Sequence, residues 1–207
     1  EVFGRTNRIS IITFKQGAAT GHKAINKGVV STSNYILIYA KSKEKWFPNK
    51  IYTAREDRDK RYNGFIENPN EHFSKWTFTT VLKKFSSKFG TTDKSLKKLL
   101  GDEYEKELNS FVLEHANHVI RLARPDLKNI SKDAQEIVLY SKENPANIFL
   151  FEREEYSDMF FKGGERILFY KDKLRYIDGR YVSGEPLTTI WDDLLSNNLL
   201  TVCIGPI

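Results

Sequence analysis

Apolar residues along the chain recur with two different periods. Ile9-Ser10-Ile11-Ile12-Thr13-Phe14 and Asn34-Tyr35-Ile36-Leu37-Ile38-Tyr39-Ala40 are short runs rich in β-branched and aromatic residues, and both read as strands. The loop between them, Gln16 to Lys27, is rich in Gly, Ala and Lys, so the two strands are expected as neighbours in one sheet. It lacks the spacing of a phosphate-binding glycine motif. In the middle of the chain the spacing becomes helical. Trp76, Leu82, Phe85 and Phe89 lie on one face that ends at Gly90, and Thr92 is placed to cap a short helix running to Leu100 and broken at Gly101. Tyr104, Leu108, Phe111, Val112, His115, Val119 and Leu122 step by three and four, which predicts one long amphipathic helix up to Arg124-Pro125. Ser131 opens another, through Tyr140. Beyond Pro145 the period returns to two, with strands predicted at 147–151, 166–170 and 174–177 and turns at Lys171-Asp172-Lys173 and Asp178-Gly179. The expected class is α+β: a strand-rich start, a helical middle and a small antiparallel sheet.

Composition narrows the class without naming a chemistry. The 207 residues are 40% hydrophobic and 29% charged, a balance that can bury a core. A single cysteine, Cys203, excludes an intrachain disulfide framework and fits a reducing compartment. No apolar run approaches the ~18–20 residues of a membrane helix and no signal-peptide pattern opens the chain, so a soluble, cytoplasmic protein is expected. The first residues, Glu1-Val2-Phe3-Gly4, and the apolar last ones, Thr201 to Ile207, read as cuts through a larger protein.

Charge is distributed unevenly. Residues 1–62 carry 13 Lys/Arg against 5 Asp/Glu, whereas residues 63–207 carry 20 against 22. Lys41, Lys43, Lys45, Lys50, Arg55, Arg58, Lys60 and Arg61 are interleaved with Trp46, Phe47, Tyr52 and Tyr62. Cations that meet phosphates beside rings that stack on bases suit a nucleic-acid surface. The competing reading is a solvated, lysine-rich linker, since Glu44, Glu56, Asp57 and Asp59 share the stretch. His115 and His118 lie three apart beside Glu114, but His115 falls on the apolar stripe and no third ligand is placed, so packed histidines are expected rather than a metal site. Asp192 and Asp193 are better explained as charges at a helix start than as an acid pair. Cys203 lacks a basic neighbour and does not read as a catalytic thiolate.

Three segments resemble the β-arrangement adenine-N6 DNA methyltransferases, including modification subunits of type III restriction systems. Gly21-His22-Lys23-Ala24-Ile25-Asn26-Lys27-Gly28-Val29-Val30-Ser31-Thr32-Ser33 leads into Asn34-Tyr35-Ile36-Leu37-Ile38-Tyr39-Ala40-Lys41, which is similar to that family's loop and Ser-x-x-(Tyr/Phe)-Ile-Leu-x-Tyr-(Ala/Gly)-Lys strand. Glu1-Val2-Phe3-Gly4-Arg5-Thr6-Asn7 looks like the Phe-Gly, Asn, strand passage. Pro186-Leu187-Thr188-Thr189-Ile190-Trp191-Asp192-Asp193 is similar to the Pro-Thr-Thr-(Ile/Leu)-Trp segment that follows target recognition. The resemblance covers about a quarter of the chain.

Several expectations follow from the resemblance. Residues 1–45 would belong to the catalytic-core sheet, 46–185 would form the target-recognition domain, and 186–207 would return toward the core. The family's catalytic Asp-Pro-Pro-Tyr and its Phe-x-Gly-x-Gly loop for S-adenosylmethionine are both absent from this sequence, so the chain alone should not methylate. Tyr35 takes the aromatic position that can stack on a flipped-out adenine, with an ordinary core-strand role as the alternative. Lys23, Lys27 and Ser33 would line the DNA cleft; His22, in the same basic loop, is a candidate phosphate contact, with a solvated histidine as the alternative. Arg55, Arg58, Lys60 and Arg61, and Lys171, Lys173 and Arg175 on the predicted hairpin, are candidate DNA contacts. The partner implied is double-stranded DNA. The rival function is a protein–protein module holding a restriction subunit or a second copy, marked by an exposed apolar face on the helix from Tyr104 to Leu122; an RNA-binding role has no signature.

Overall fold

A computed structural model describes residues 3–17, 25, 28–55 and 57–191. The chain is α+β. Its strands are β1 (Arg8–Lys15), β2 (Ser33–Tyr39), β3 (Tyr52–Arg55), β4 (Gly64–Ile66), β5 (Phe78–Thr80), β6 (Val119–Ala123), β7 (Ile148–Phe151), β8 (Met159–Lys162), β9 (Glu165–Phe169), β10 (Leu174–Ile177), β11 (Arg180–Pro186) and β12 (Ile190–Trp191). Its helices are α1 (Val81–Lys88), α2 (Asp93–Leu100), α3 (Tyr104–Glu114) and α4 (Lys132–Glu143). A small sheet has the order β10-β11-β3. The chain divides into two compact units. The first is Glu1–Ala54 with Tyr176–Arg180 and Gly184–Ile207; the second is Arg55–Arg175 with Tyr181–Ser183.

The first unit contains a sheet ordered β12-β1-β2. β1 and β2 are antiparallel, with Ile11 opposite Leu37 and Thr13 opposite Tyr35. β12 joins the other edge of β1 in parallel, Thr13 opposite Ile190 and Phe14 opposite Trp191. Thr189 O accepts the Thr13 N–H at 2.8 Å, and the Trp191 indole donates to Thr188 O at 2.8 Å. Cross-strand partners share a face, so Ile11, Thr13, Tyr35 and Leu37 stand together. In these two antiparallel strands only Ile12 is buried.

The second unit is built on an antiparallel sheet ordered β5-β4-β6-β9-β8-β7. Its helices start where hydroxyls satisfy free backbone N–H groups: Thr80, Thr92 and Ser131 accept from Lys83, Ser95 and Ala134 at the heads of α1, α2 and α4. Gly90 and Gly101 follow α1 and α2 with positive φ, the left-handed conformation that costs glycine least. Val81 and Phe85 of α1, Leu96 of α2, and Tyr104, Leu108, Phe111 and Val112 of α3 pack with Tyr62, Phe65, Ala116, Val119 and Tyr170 into the main core. Phe65 and Val119 are cross-strand partners and face these helices. α4 packs on the same face at the far end of the sheet, where the Tyr140 ring meets Phe149 at 5.1 Å. The opposite face carries a smaller core of Ile66, Ile120 and Ile167, with Trp76 against Phe160 and Phe169.

Two departures from the sequence reading have identifiable physical causes. The expected helix from Tyr104 to Leu122 stops at Glu114. His118 and Val119 both donate backbone bonds to His115 O, at 2.8 and 3.1 Å, and the chain turns into β6. The β-branched pair Val119-Ile120 then alternates across the sheet instead of continuing one stripe. Similarly, α1 begins at Val81, and Trp76 lies outside it, its indole donating to Glu71 O at 3.0 Å. Between β8 and β9, Lys162 pairs with Glu165 across Gly163-Gly164, and both glycines have positive φ, as a two-residue hairpin with the sheet's own twist requires.

Candidate nucleic-acid interface

Asp59 organises the basic segment that opens the second unit. It is 3% exposed. Its Oδ1 accepts from the Arg61 backbone N–H at 3.1 Å and Nε at 2.9 Å, and its Oδ2 accepts from Arg61 Nη2 at 2.7 Å and Lys173 Nζ at 2.9 Å. The Arg61 hydrogen bonds hold the carboxyl well below the ordinary carboxylate range; burial opposes them and Lys173 adds to them. Next to this pair lies Tyr62, buried and in edge contact with Tyr170 at 5.2 Å. The Arg121 guanidinium and the Lys173 ammonium both approach the Tyr62 ring, at 5.3 and 5.6 Å. Burial raises the Tyr62 phenol above its usual value, with the Arg121 charge acting against it.

The sequence candidates fall into distinct environments. His22, Lys23 and Lys27 lie outside the described residues, as do Asp192, Asp193 and Cys203. Ser33 is half-buried opposite Lys15. Tyr35 is 65% exposed, so among the described residues its ring is not packed in a core. Arg58, Arg61 and Lys173 come together around Asp59 and the Tyr62–Tyr170 pair; Arg55 and Arg58 both act electrostatically on Tyr170. Lys60 is exposed, and exposed Lys171 sits 5.2 Å from the Phe169 ring. Arg175 donates to the carbonyls of Asp172 and Leu174, at 2.9 and 2.6 Å. The two histidines pack: their Nδ1 atoms donate to Phe111 O at 2.9 Å and Ile66 O at 2.8 Å, and the His118 ring stacks on Phe65. Among the described residues no group of three or more His, Cys, Asp or Glu is placed to hold a metal.

Sequence reasoning missed Arg121 and Arg166. Each stands alone within a strand, so neither belongs to a basic run. The available signal for Arg121 was a cation between apolar residues, Ile120-Arg121-Leu122; Arg166, next to Glu165, carried no such signal. Arg121 lies opposite Leu168, and Arg166 lies opposite both Ala123 and Phe161, which places both arginines on the helix-covered face. Burial lowers the Arg166 pKa and the nearby Arg153 charge adds to this, while Asp172 and Tyr62 act against it.

No protein-family model and no solved structure matches the chain. Over 227 aligned residues it is 21% identical to the probable type III restriction-modification enzyme HindVI Mod subunit of Haemophilus influenzae, a match covering 96% of this chain and 29% of that protein. No helix among the described residues is long and apolar enough to cross a membrane.

Proposed function

We propose that the chain is the target-recognition portion of a site-specific adenine-N6 DNA methyltransferase, the modification subunit of a restriction–modification system, and that it binds duplex DNA. The observation that carries this reading is the convergence of Arg58, Arg61, Arg121, Arg166 and Lys173 near the Tyr62–Tyr170 pair, with Asp59 and Asp172 as counter-charges. The similarity to a Mod subunit supports it. Methyl transfer needs groups that this chain does not supply. It has neither Asp-Pro-Pro-Tyr nor Phe-x-Gly-x-Gly, and the glycine-rich turn it does have, Gly163-Gly164, is used up in a hairpin against the Lys142 side chain. No step through S-adenosylmethionine is therefore assigned to it.

The rival reading, a module for a restriction subunit or a second copy, required an apolar face left open on the helix from Tyr104. Leu108, Phe111 and Val112 are instead committed to the core.

Affinity for a labelled duplex, measured by fluorescence anisotropy at several salt concentrations, tests the proposal. Each neutralised phosphate contributes roughly −0.9 to the slope of log affinity against log salt, so a slope steeper than about −3 is expected. Lys60→Glu should weaken all duplexes alike, because an exposed lysine reads charge rather than sequence. No binding at low salt would refute the reading.

Tyr35 would serve the same enzyme by stacking on the extruded adenine. Being exposed, Tyr35→Ala should change the stability of the chain by no more than about 0.5 kcal/mol. In the full-length enzyme it should cut methylation, and unaltered activity would remove Tyr35 from the site.

A further inference from the structure

Three of the five buried side-chain N or O atoms that lack a hydrogen-bond partner among the described residues are arginine Nε atoms, those of Arg58, Arg121 and Arg166. Leaving a buried guanidinium N–H unbonded is costly, so such a group calls for an acceptor from outside the chain, a water or an anion. These three arginines are not scattered. Arg121 lies over Tyr62, Arg166 is its diagonal neighbour across β6 and β9 on the same face, and Arg58 acts on Tyr170, whose ring meets Tyr62. On the sheet Arg121 and Arg166 occupy the stretch between the two sets of helices: α1 to α3 cover Val119 at one end, and α4 covers Phe149 at the other. A cavity of about 250 Å³ opens beside Arg166, lined also by the charged Arg124 and Asp126, by Asn129, and by apolar residues that include Met159, Phe161 and Leu168.

We propose that this gap is an oxyanion site, in which the free N–H groups of Arg121 and Arg166, with Arg58 beside Tyr170, take a phosphate of the nucleic-acid backbone. Guanidinium forks match phosphate oxygens in geometry and charge, and they do so best where water is excluded. Arg58, Arg61, Arg121, Arg153, Arg166 and Lys173 outnumber Asp59, Asp126 and Asp172 around the gap, an excess that suits a polyanion better than a single partner carboxylate. The assignment to DNA rests on the function proposed above; the oxyanion site does not.

The two are separated by combining thermal unfolding with DNA titration, using the chain and its Arg121→Met and Arg166→Met variants, with Arg166→Lys as a control that keeps charge but loses the fork. Inorganic phosphate should raise the melting temperature above that in chloride at equal ionic strength, and each Met variant should lose that response. Without phosphate the Arg166→Met variant should melt no lower than the parent, since it removes a partly buried cation whose Nε–H has no partner among the described residues. Each should bind duplex at least about tenfold more weakly, with a salt slope shallower by about 0.9. If phosphate has no specific effect on the parent and the variants bind DNA unchanged, the site is refuted. A phosphate response with unaltered DNA binding would limit it to free phosphate and overturn its nucleic-acid role. A phosphate response without any DNA binding would refute the DNA reading while the oxyanion site stands. Displacement of phosphate by an acidic peptide, and not by duplex, would identify a protein carboxylate as the occupant and overturn the proposal.

Discussion

Phe65→Ala is expected to destabilise the chain by about 4 kcal/mol, a loss large enough to threaten folding of the second unit. Phe65 is 1% exposed on β4, which lies between β5 and β6 in the sheet. Its ring packs on Phe111 at 6.1 Å, His115 at 6.0 Å and His118 at 4.9 Å, and Lys84 approaches it at 5.8 Å. Those neighbours belong to α1, α3 and the turn after α3, so truncation would open a void where three elements meet. They are poorly able to collapse into it: His115 and His118 are tied to backbone carbonyls, and β4 is pinned to β6 where Gly64 leaves only 3.0 Å between a would-be Cβ and the Ile120 side chain. Urea unfolding of the two proteins gives the difference directly. A loss under 1 kcal/mol would mean that the core can close around the missing ring.

Asp59→Asn should cost about 3 kcal/mol, by a different mechanism. Removing the carboxylate leaves Lys173, with its side chain 22% exposed, beside Arg61, Arg58 and Arg121 with no comparable buried counter-charge among the described residues. The acid dependence gives an independent check. Because the folded carboxyl titrates well below its unfolded value, its stabilisation is complete above the ordinary carboxylate pKa of about 4 and drains away as pH falls below that. The parent should therefore lose stability steeply below about pH 4, and Asp59→Asn should show a flatter acid limb. Melting temperatures against pH for both proteins test this; parallel acid limbs would show that Asp59 is not the titrating group. The same change should tighten phosphate binding, since it removes a buried negative charge from beside the arginines.

Much of the local structure was legible because local chemistry determines it. Thr92 and Ser131 start helices by accepting a backbone N–H three residues on, and Gly101 ends α2 by adopting positive φ. β1 and β2 announced themselves through β-branched runs, and Asp178-Gly179 makes its turn with both residues at positive φ. What failed depended on contacts distant in sequence. Val119 and Leu122 keep helical spacing with Leu108 and His115, yet β6 is a strand because β4 and β9 supply its hydrogen-bond partners. β8 was overlooked although Gly163-Gly164 flanked by Phe160-Phe161 and Ile167-Leu168 carried a hairpin signal. In the site, the basic character of residues 55–61 was plain, but Lys173 reaches Asp59 from 114 residues away. Arg121 and Arg166 become a pair only through the register of β6 on β9.

The parallel pairing of Thr13 with Ile190 also bears on the order in which the chain folds. β1 and β2 can zip at once across a short connection, whereas β12 is separated from β1 by the whole of the second unit. Closing so long a loop in an unstructured chain is entropically costly, and long-range pairing of this kind is slow. The β12 register is thus expected to be secured last, after the intervening residues are compact. By the same reasoning it is the first to open: in native-state hydrogen exchange the Thr13 amide, held by Thr189, should exchange well before those of β4 and β6.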